Sequence, residues 1–328
     1  MKAAIIRRYG SPEVVGIAEI PKPVPKENEV LVRVCAASVN PLDWHGTQGS
    51  PYIARMAGGV RAPKDPRLGI DVAGRVETVG RNVTGFRPED RVFGMCKGAF
   101  AEYACASAAG SAMSVLARMH ENLTFEQAAA APVAALTALQ AIRDKGKIQP
   151  GQKVLIHGAS GGVGTFAVQF ANYFGAEVTG VCSTRNIELV RSLGAARVID
   201  YTKEDWAAAS SERYDLLIDC VGDRSLVACA RILQPKGTHI VITGPNGPWL
   251  GPLARMLKAL TLSPFVSRHL VPFIAKASRD DLTFIGKLIA AGAVTPVIDR
   301  RYRFSEVRDA IRHVEEGHAR GKVVITME

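Results

Sequence analysis

The sequence lacks a long apolar run. Nothing reaches the ~18 residues a membrane-crossing helix needs, and Lys2, Arg7 and Arg8 enclose too few apolar residues for a secretory leader. Its six cysteines (Cys35, Cys96, Cys105, Cys182, Cys220, Cys229) never form Cys-x-x-Cys. That spacing suits reduced, buried thiols in a cytoplasmic protein. Aromatic residues make up only 6% of the chain, and no aromatic-rich RNA motif occurs. Like charges never run to five or six, so the excess of 41 Lys+Arg over 31 Asp+Glu, a net +10, is spread along the chain. It reads as a solvated basic surface, partly suited to an anionic cofactor, and a nucleic-acid partner is not expected. Repeats and low-complexity linkers are absent too.

What is present is an ordinary globular composition, 47% hydrophobic and 22% charged over 328 residues, enough for two domains. The first part is β-rich: Val30–Val34, Val72–Val79, Arg91–Phe93 and Phe100–Ala104 are short, rich in β-branched and aromatic residues, and punctuated by Gly74, residues 80–82 and residues 87–90. A compact barrel is expected there. At Asn122 the character changes: Thr124 with Gln127 makes a capping box, and an alanine-rich helix is expected directly after it. Strands and helices then alternate, with strands near Val154–His157, Glu177–Val181, Arg197–Ile199, Leu216–Asp219 and His239–Thr243. Such alternation predicts a doubly wound parallel sheet. Trp249–Thr261 reads as a helix with Leu253, Met256, Leu257 and Leu260 on one face and Arg255 and Lys258 nearby. Packing over a cleft is the expected role of that face, and peripheral contact with a membrane through 249–261 is the alternative. His269–Ile274 reads as an edge strand because of Pro272, followed by a helix near Asp281–Ala291 and a strand over Lys322–Thr326.

The strongest motif is Val154-Leu-Ile-His-Gly-Ala-Ser-Gly-Gly-Val-Gly164. Glycines between a strand and a helix let the backbone approach a pyrophosphate, and the helix start offers free amides and a positive dipole end. Ala159, Ser160, Gly161, Gly162 and Val163 are therefore candidate cofactor contacts. An NAD site places an acid about 20 residues further on to hold the ribose 2′-hydroxyl, yet Val178–Arg185 contains none. The strand ends Cys182-Ser183-Thr184-Arg185, whose hydroxyls and guanidinium suit a phosphate, with Tyr201 flanking. NADPH is the expected cofactor. Val221, Gly222, Thr243 and Gly244 end successive strands at the ligand face of such a sheet and are expected to line the nicotinamide ribose. Zinc is not expected: no cysteine cluster exists, Asn40–Asp43 and Gly69–Asp71 hold neither Cys nor His, and the histidines never pair closely.

Ala36-Ala-Ser-Val-Asn-Pro-Leu-Asp43, Gly69-Ile-Asp-Val-Ala-Gly74, Gly158–Gly164, Asp219-Cys-Val-Gly222 and Gly317-His-Ala-Arg-Gly-Lys-Val-Val324 together carry a resemblance over essentially the whole chain. The sequence resembles the zinc-independent quinone oxidoreductase-like branch (zeta-crystallin, alkenal-enone reductase) of the medium-chain dehydrogenase/reductase superfamily. In zinc-dependent members the position of Asn40 is typically the metal cysteine, and Ile70 stands in place of the metal histidine. The resemblance implies an α/β protein with a GroES-like β-barrel catalytic domain (1–122 and 279–328), a Rossmann NADP-binding domain (123–278) and a homodimer. It also implies hydride transfer from NADPH to quinones or to the C=C bond of α,β-unsaturated carbonyls. Asn40 matches a position beside the nicotinamide, His45 stands where relatives have Tyr, and His45 or Tyr52 is the candidate proton donor. Lys322 in the closing signature and Thr137 are candidate cofactor contacts, and residues 47–62 and 246–268 are candidate substrate-pocket segments. Two rival functions stay open: an enoyl-thioester reductase drawing an acidic carrier to the basic surface, and a low-turnover NADPH-binding protein of crystallin, RNA- or membrane-associated type.

Overall fold

The β-branched runs of the first part form β1 (Lys2–Ile5), β2 (Gly16–Glu19), β3 (Glu29–Val39), β4 (Asp71–Val79), β5 (Arg91–Met95), β6 (Tyr103–Ser107) and β7 (Val115–Arg118), with α1 (Pro41–Gln48) and α2 (Arg55–Gly58) between β3 and β4. The computed structural model describes residues 1–208, 212–244, 249–263 and 267–327, apart from the side chains of Ala57 and Pro252. After α3 (Phe125–Ala129) and α4 (Pro132–Gln140) comes the alternating series β8 (Lys153–His157), α5 (Gly162–Tyr173), β9 (Glu177–Cys182), α6 (Ile187–Ser192), β10 (Arg197–Asp200), β11 (Tyr214–Asp219), α7 (Leu226–Arg231), β12 (Leu233–Val241), α8 (Pro252–Leu262) and β13 (His269–Pro272). Then follow α9 (Arg279–Ala290), β14 (Ile298–Arg303), α10 (Val307–Glu315) and β15 (Lys322–Thr326). The chain divides into two units, Met1–Leu136 with Lys276–Glu328, and Thr137–Ala275.

In the first unit β3 pairs with β4 along one edge and divides its other edge, Glu29–Arg33 lying on β6 and Ala36–Val39 on β15. One strand shared three ways curls the sheet, whose order is β14-β15-β3-β4-β5-β7 with β6 off β3. Gly74, which reads as a turn signal, lies inside β4: a Cβ there would come 2.1 Å from the Arg33 carbonyl oxygen. A glycine in a strand here marks a close backbone approach. Val30, Val32, Val72, Val76, Val92 and Leu116 fill one core. The other takes Phe100, Phe304, Ile311, Val323 and Ile325.

The capping box forms as expected, with Gln127 N donating to Thr124 Oγ1 at 3.1 Å and Thr124 N to Gln127 Oε1 at 3.0 Å. The alanine-rich stretch is nevertheless two helices. Pro132 has no N–H to give and disfavours helical backbone in the residue before it, so α3 stops and α4 starts afresh.

The second unit is a six-stranded parallel sheet in the order β10-β9-β8-β11-β12-β13, the doubly wound pattern. Leu155, Val181, Leu217, Ile232 and Trp206 build its core, and β13 closes one edge. Helix α8 departs from expectation. Leu253, Leu257 and Leu260 are 37%, 54% and 57% exposed, whereas Arg255 is only 7% exposed and Ala259 not at all. The helix turns Arg255 and Ala259, one turn apart, to the sheet, where Ala259 joins Leu226, Val241 and Leu270. Of the pocket segment 246–268, residues 246–248 and 264–266 lie outside the described residues. Among the described residues no helix is long and apolar enough to cross a membrane.

Candidate active site

The glycine loop is built by close contacts that only hydrogen tolerates. Gly158 has φ +82°, and a Cβ on it would stand 2.8 Å from Val221 Cγ2; one on Gly164 would fall 2.0 Å from the Gly158 carbonyl oxygen. The loop thus folds under the start of α5. Gly161, the residue before that helix, has no side chain to cap it, so the amides of the first turn, Gly162 and Val163 included, are available to an anion. Ala159 is fully buried, while Ser160 is half-buried at the rim. Gly222 (φ +78°) lies against Gly244, where a Cβ would come within 2.7 Å of the Gly244 Cα. That contact brings Val221, Gly222, Thr243 and Gly244 together at the ends of β11 and β12.

The end of β9 carries the expected polar group. Asn186 Nδ2 donates to Ser160 Oγ (2.9 Å) and to Ser183 Oγ (3.2 Å), tying the glycine loop to the strand end. Its Oδ1 is buried without a partner among the described residues. Thr184 Oγ1 donates to Asp200 Oδ2 at 2.5 Å, and Thr202 donates through N (3.0 Å) and Oγ1 (2.7 Å) to Asp200 Oδ1. The hydrogen bonds from Thr184 and then Thr202 outweigh burial and bring the Asp200 carboxyl down to about 2. Tyr201 N donates to the Cys182 carbonyl at 3.1 Å, and the Cys182 thiol is buried and pushed up to about 11. Arg185 and Tyr201 are exposed. Motif counting along β9 misses Asp200, which reaches this group from the end of the next strand.

Sequence reasoning also missed the charge cluster under the loop. Asp219, fully buried, accepts from His157 Nδ1 (3.0 Å), Gly222 N (2.8 Å), His239 Nε2 (3.2 Å) and Arg255 Nη2 (2.7 Å). Burial alone would raise its pKa; hydrogen bonds from His157 and His239 hold the carboxyl well below the usual range. The sequence signals were Arg255 on an apolar helix and the motifs that contain His157 and Asp219, which nothing in the sequence joins.

A second polar cluster forms in the first unit. Asn40, 2% exposed, sends Nδ2 to Asp71 Oδ2 (2.9 Å) and receives Lys322 Nζ on Oδ1 at 2.5 Å. Ser38 Oγ also donates to Asp71 Oδ2 (2.9 Å), and Val133 N at the start of α4 donates to Asp71 Oδ1 (3.0 Å). Lys322, 3% exposed, spends its ammonium on Asn40, the Val39 carbonyl (3.2 Å) and Asp71 (3.4 Å). Asp43 accepts Asn40 N at 2.7 Å. Its own carboxyl is pushed up to about 7, first by burial and then by the Asp71 charge.

His45 stacks on Trp44, ring centroids 3.7 Å apart, with Nδ1 buried and lacking a partner among the described residues. Burial lowers its pKa, so it is a neutral imidazole at pH 7. Tyr52 lies 4.4 Å from the Arg55 guanidinium, which also faces Tyr9. Thr137 is buried on α4.

Positions 40 and 70 offer neither the thiolate nor the imidazole that a zinc site takes. Around Asn40 the donors are oxygens and a lysine already sits among them. Ile70 offers no ligand atom, and the thiol of fully buried Cys96 is raised to about 12 by burial. Among the described residues, Asp219, Cys229 and His239 bring potential ligand atoms within 4.8 Å of one another. The Arg255 guanidinium takes that place, 2.7 Å from Asp219 and 3.8 Å from the Cys229 sulfur.

A curled strand-sharing domain joined to a doubly wound domain with a glycine loop defines a dehydrogenase/reductase of medium-chain type. Residues 26–118 match the alcohol dehydrogenase GroES-like domain, and residues 193–325 match the family described as zinc-binding dehydrogenase. The chain is 35% identical to the chloroplast envelope quinone oxidoreductase homolog of Arabidopsis thaliana, over 94% of this chain and 92% of the relative. It is 36% identical to the mitochondrial NAD(P)H oxidoreductase RTN4IP1 of Mus musculus, over 100% of this chain and 89% of the relative. The solved quinone oxidoreductase of Coxiella burnetii superposes with a TM-score of 0.89 at 30% identity, covering 100% of this chain and 99% of that one. The chain belongs to the quinone oxidoreductase-like branch of the medium-chain dehydrogenase/reductase superfamily.

Proposed function

We propose that this protein is an NADPH-dependent oxidoreductase that reduces quinones, or the activated C=C bond of α,β-unsaturated carbonyls, without a metal. One observation carries the cofactor half. The glycine cradle is tied through Asn186 to a strand end bearing Ser183, Thr184 and Arg185, while Asp200, the acid at the end of the next strand, is already spent on Thr184 and Thr202. An acid so engaged is a poor holder for a ribose hydroxyl, whereas hydroxyls and a guanidinium suit a 2′-phosphate. The unpartnered Asn186 acceptor supports a ribose hydroxyl donor nearby.

When bound, the nicotinamide supplies hydride chemistry, and the chain's own residues must do the rest. Gly162 and Val163 amides hold the pyrophosphate. His45 is a neutral imidazole, with Nδ1 buried, so it is not a charged acid; it serves as a hydrogen-bonding group on α1. Asn40, held by Lys322 and Asp71, fixes the backbone from which α1 carries His45. With no Lewis acid to polarise a simple ketone, conjugated acceptors are favoured, since they need only modest stabilisation of the developing oxyanion. The free cysteines, three buried and three half-buried, support a reducing compartment such as the cytoplasm.

The test is NADPH oxidation with a quinone, a short enone, a long enal, an enoyl-CoA and a simple ketone, before and after exhaustive chelation. Quinone or enone turnover that survives chelation is expected. Ketones outpacing every conjugated acceptor would sink the reading. Enoyl-CoA as best substrate would move it to the thioester reductases, and no turnover with retained NADPH binding to a low-turnover binding protein.

A further inference from the structure

Three oxygens from three residues converge on one buried point in the first unit. Asn40 Oδ1, the Val39 carbonyl and Asp71 Oδ2 lie 2.5, 3.2 and 3.4 Å from Lys322 Nζ. Val39, Asn40, Asp71 and Lys322 are 2%, 2%, 0% and 3% exposed. A second carboxyl, Asp43, is close enough to feel both Asp71 and Lys322. Buried, oxygen-only and anionic, this is the kind of donor set a hard cation takes. We propose that the Lys322 ammonium is the resident cation of this site, a tethered substitute for a metal ion, and that it is a positioning residue that fixes the Asn40 amide and holds the Asp71 carboxylate in place at the start of α4.

An ammonium has three donors and no acceptor, and three oxygens are supplied. Asn40 has the ammonium on Oδ1 and a carboxylate on Nδ2, so charge on both sides sets which way its amide faces. Asp71 accepts from Ser38, Asn40 and the Val133 amide, all neutral, and from Lys322, which carries positive charge. Taking that charge away leaves a buried carboxylate without compensation. The place of the ammonium is set by backbone pairing, because Val323, the next residue, pairs with Val39 in the β15–β3 ladder. The second unit uses the same device, with the Arg255 guanidinium standing among Asp219, Cys229 and His239.

The proposal is independent of acceptor and cofactor and is tested on the unliganded chain. Lys322→Ala removes the equivalent of n-propylammonium. Its Tm should fall by roughly 5–15 °C, and n-propylammonium at matched ionic strength should return about half of the loss. 1-Propanol, equal in heavy atoms but uncharged, should return none. Equal recovery with both solutes, or none with either, would overturn the proposal. Should Lys322→Ala not fold, Lys322→Met is compared with the doubly neutral Lys322→Met/Asp71→Asn. The double variant should melt higher than the single one, and a lower or equal Tm would overturn the idea.

Discussion

Arg185 makes the sharpest claim at the level of single residues. A guanidinium can hold a 2′-phosphate by two charge-assisted hydrogen bonds, together of order 1.5–3 kcal/mol for an exposed side chain, and 1.4 kcal/mol is about tenfold in affinity. Arg185→Ala is therefore expected to weaken NADPH roughly ten- to hundred-fold and to leave NADH within a few-fold. Ser183→Ala should act in the same direction, but less. The deciding quantity is the ratio of kcat/KM for the two cofactors, since a folding defect lowers both together; an unchanged ratio makes Arg185 a surface charge. Asp43 makes a different claim, about stability. Its carboxyl stands at about 7 against an ordinary 3.8, raised by burial and by Asp71, with Lys322 and the Asn40 and Gly69 amides pulling the other way. The folded chain therefore holds this proton more tightly than the unfolded chain, so its contribution is whole below pH 4 and is lost as pH rises to about 7. Between pH 5 and pH 8.5 the wild type should lose up to about 3 kcal/mol relative to Asp43→Asn. A pH-independent Tm difference between the two would show that Asp43 does not titrate in this range.

Individual helices and strands show how far the sequence could be read. The glycine motif, the capping box and the strand over Lys322–Thr326 were legible because each rests on local rules: turn geometry, cap hydrogen bonds and β-branched runs. The place of Gly74 depends on the backbone packed alongside and was not, whereas the break at Pro132 follows a local rule that the run of alanines obscured. Helix α8 is the clearest case. Its leucine stripe predicts the buried face, yet the sheet takes Arg255, because Asp219 at the end of β11 needs a cation and Gly244 leaves room for the stem: a Cβ there would come 2.7 Å from Arg255 Cβ. No periodicity reveals a carboxylate 36 residues away. Arg255→Leu keeps the bulk and removes the charge. It is expected to destabilise the nucleotide-binding unit by roughly 3–5 kcal/mol. Calorimetry that resolves two unfolding transitions should show the lower Tm in one of them only; an unshifted scan would mean the two histidines suffice for Asp219.

For the whole molecule, β13, the last strand of its sheet among the described residues, and the exposed leucines of α8 favour self-association. An unpaired strand edge pairs readily with its symmetry mate, and a dimer is expected by light scattering at micromolar concentration. A monomer there would leave the edge to some other partner. The divided edge of β3 has a consequence in time. Its partner β15 follows it by the whole length of the nucleotide-binding unit, and Lys322 is separated from Asp71 by 251 positions. On the ribosome the first unit is therefore begun early and completed late, while the parallel sheet between its halves has all its strands available sooner. Until β15 arrives, Ala36–Val39 is an open strand edge and Asp71 a carboxylate without its ammonium. Closing so long a loop costs entropy before any contact repays it, which makes the joining of β15 to β3 the natural last and slowest step of assembly.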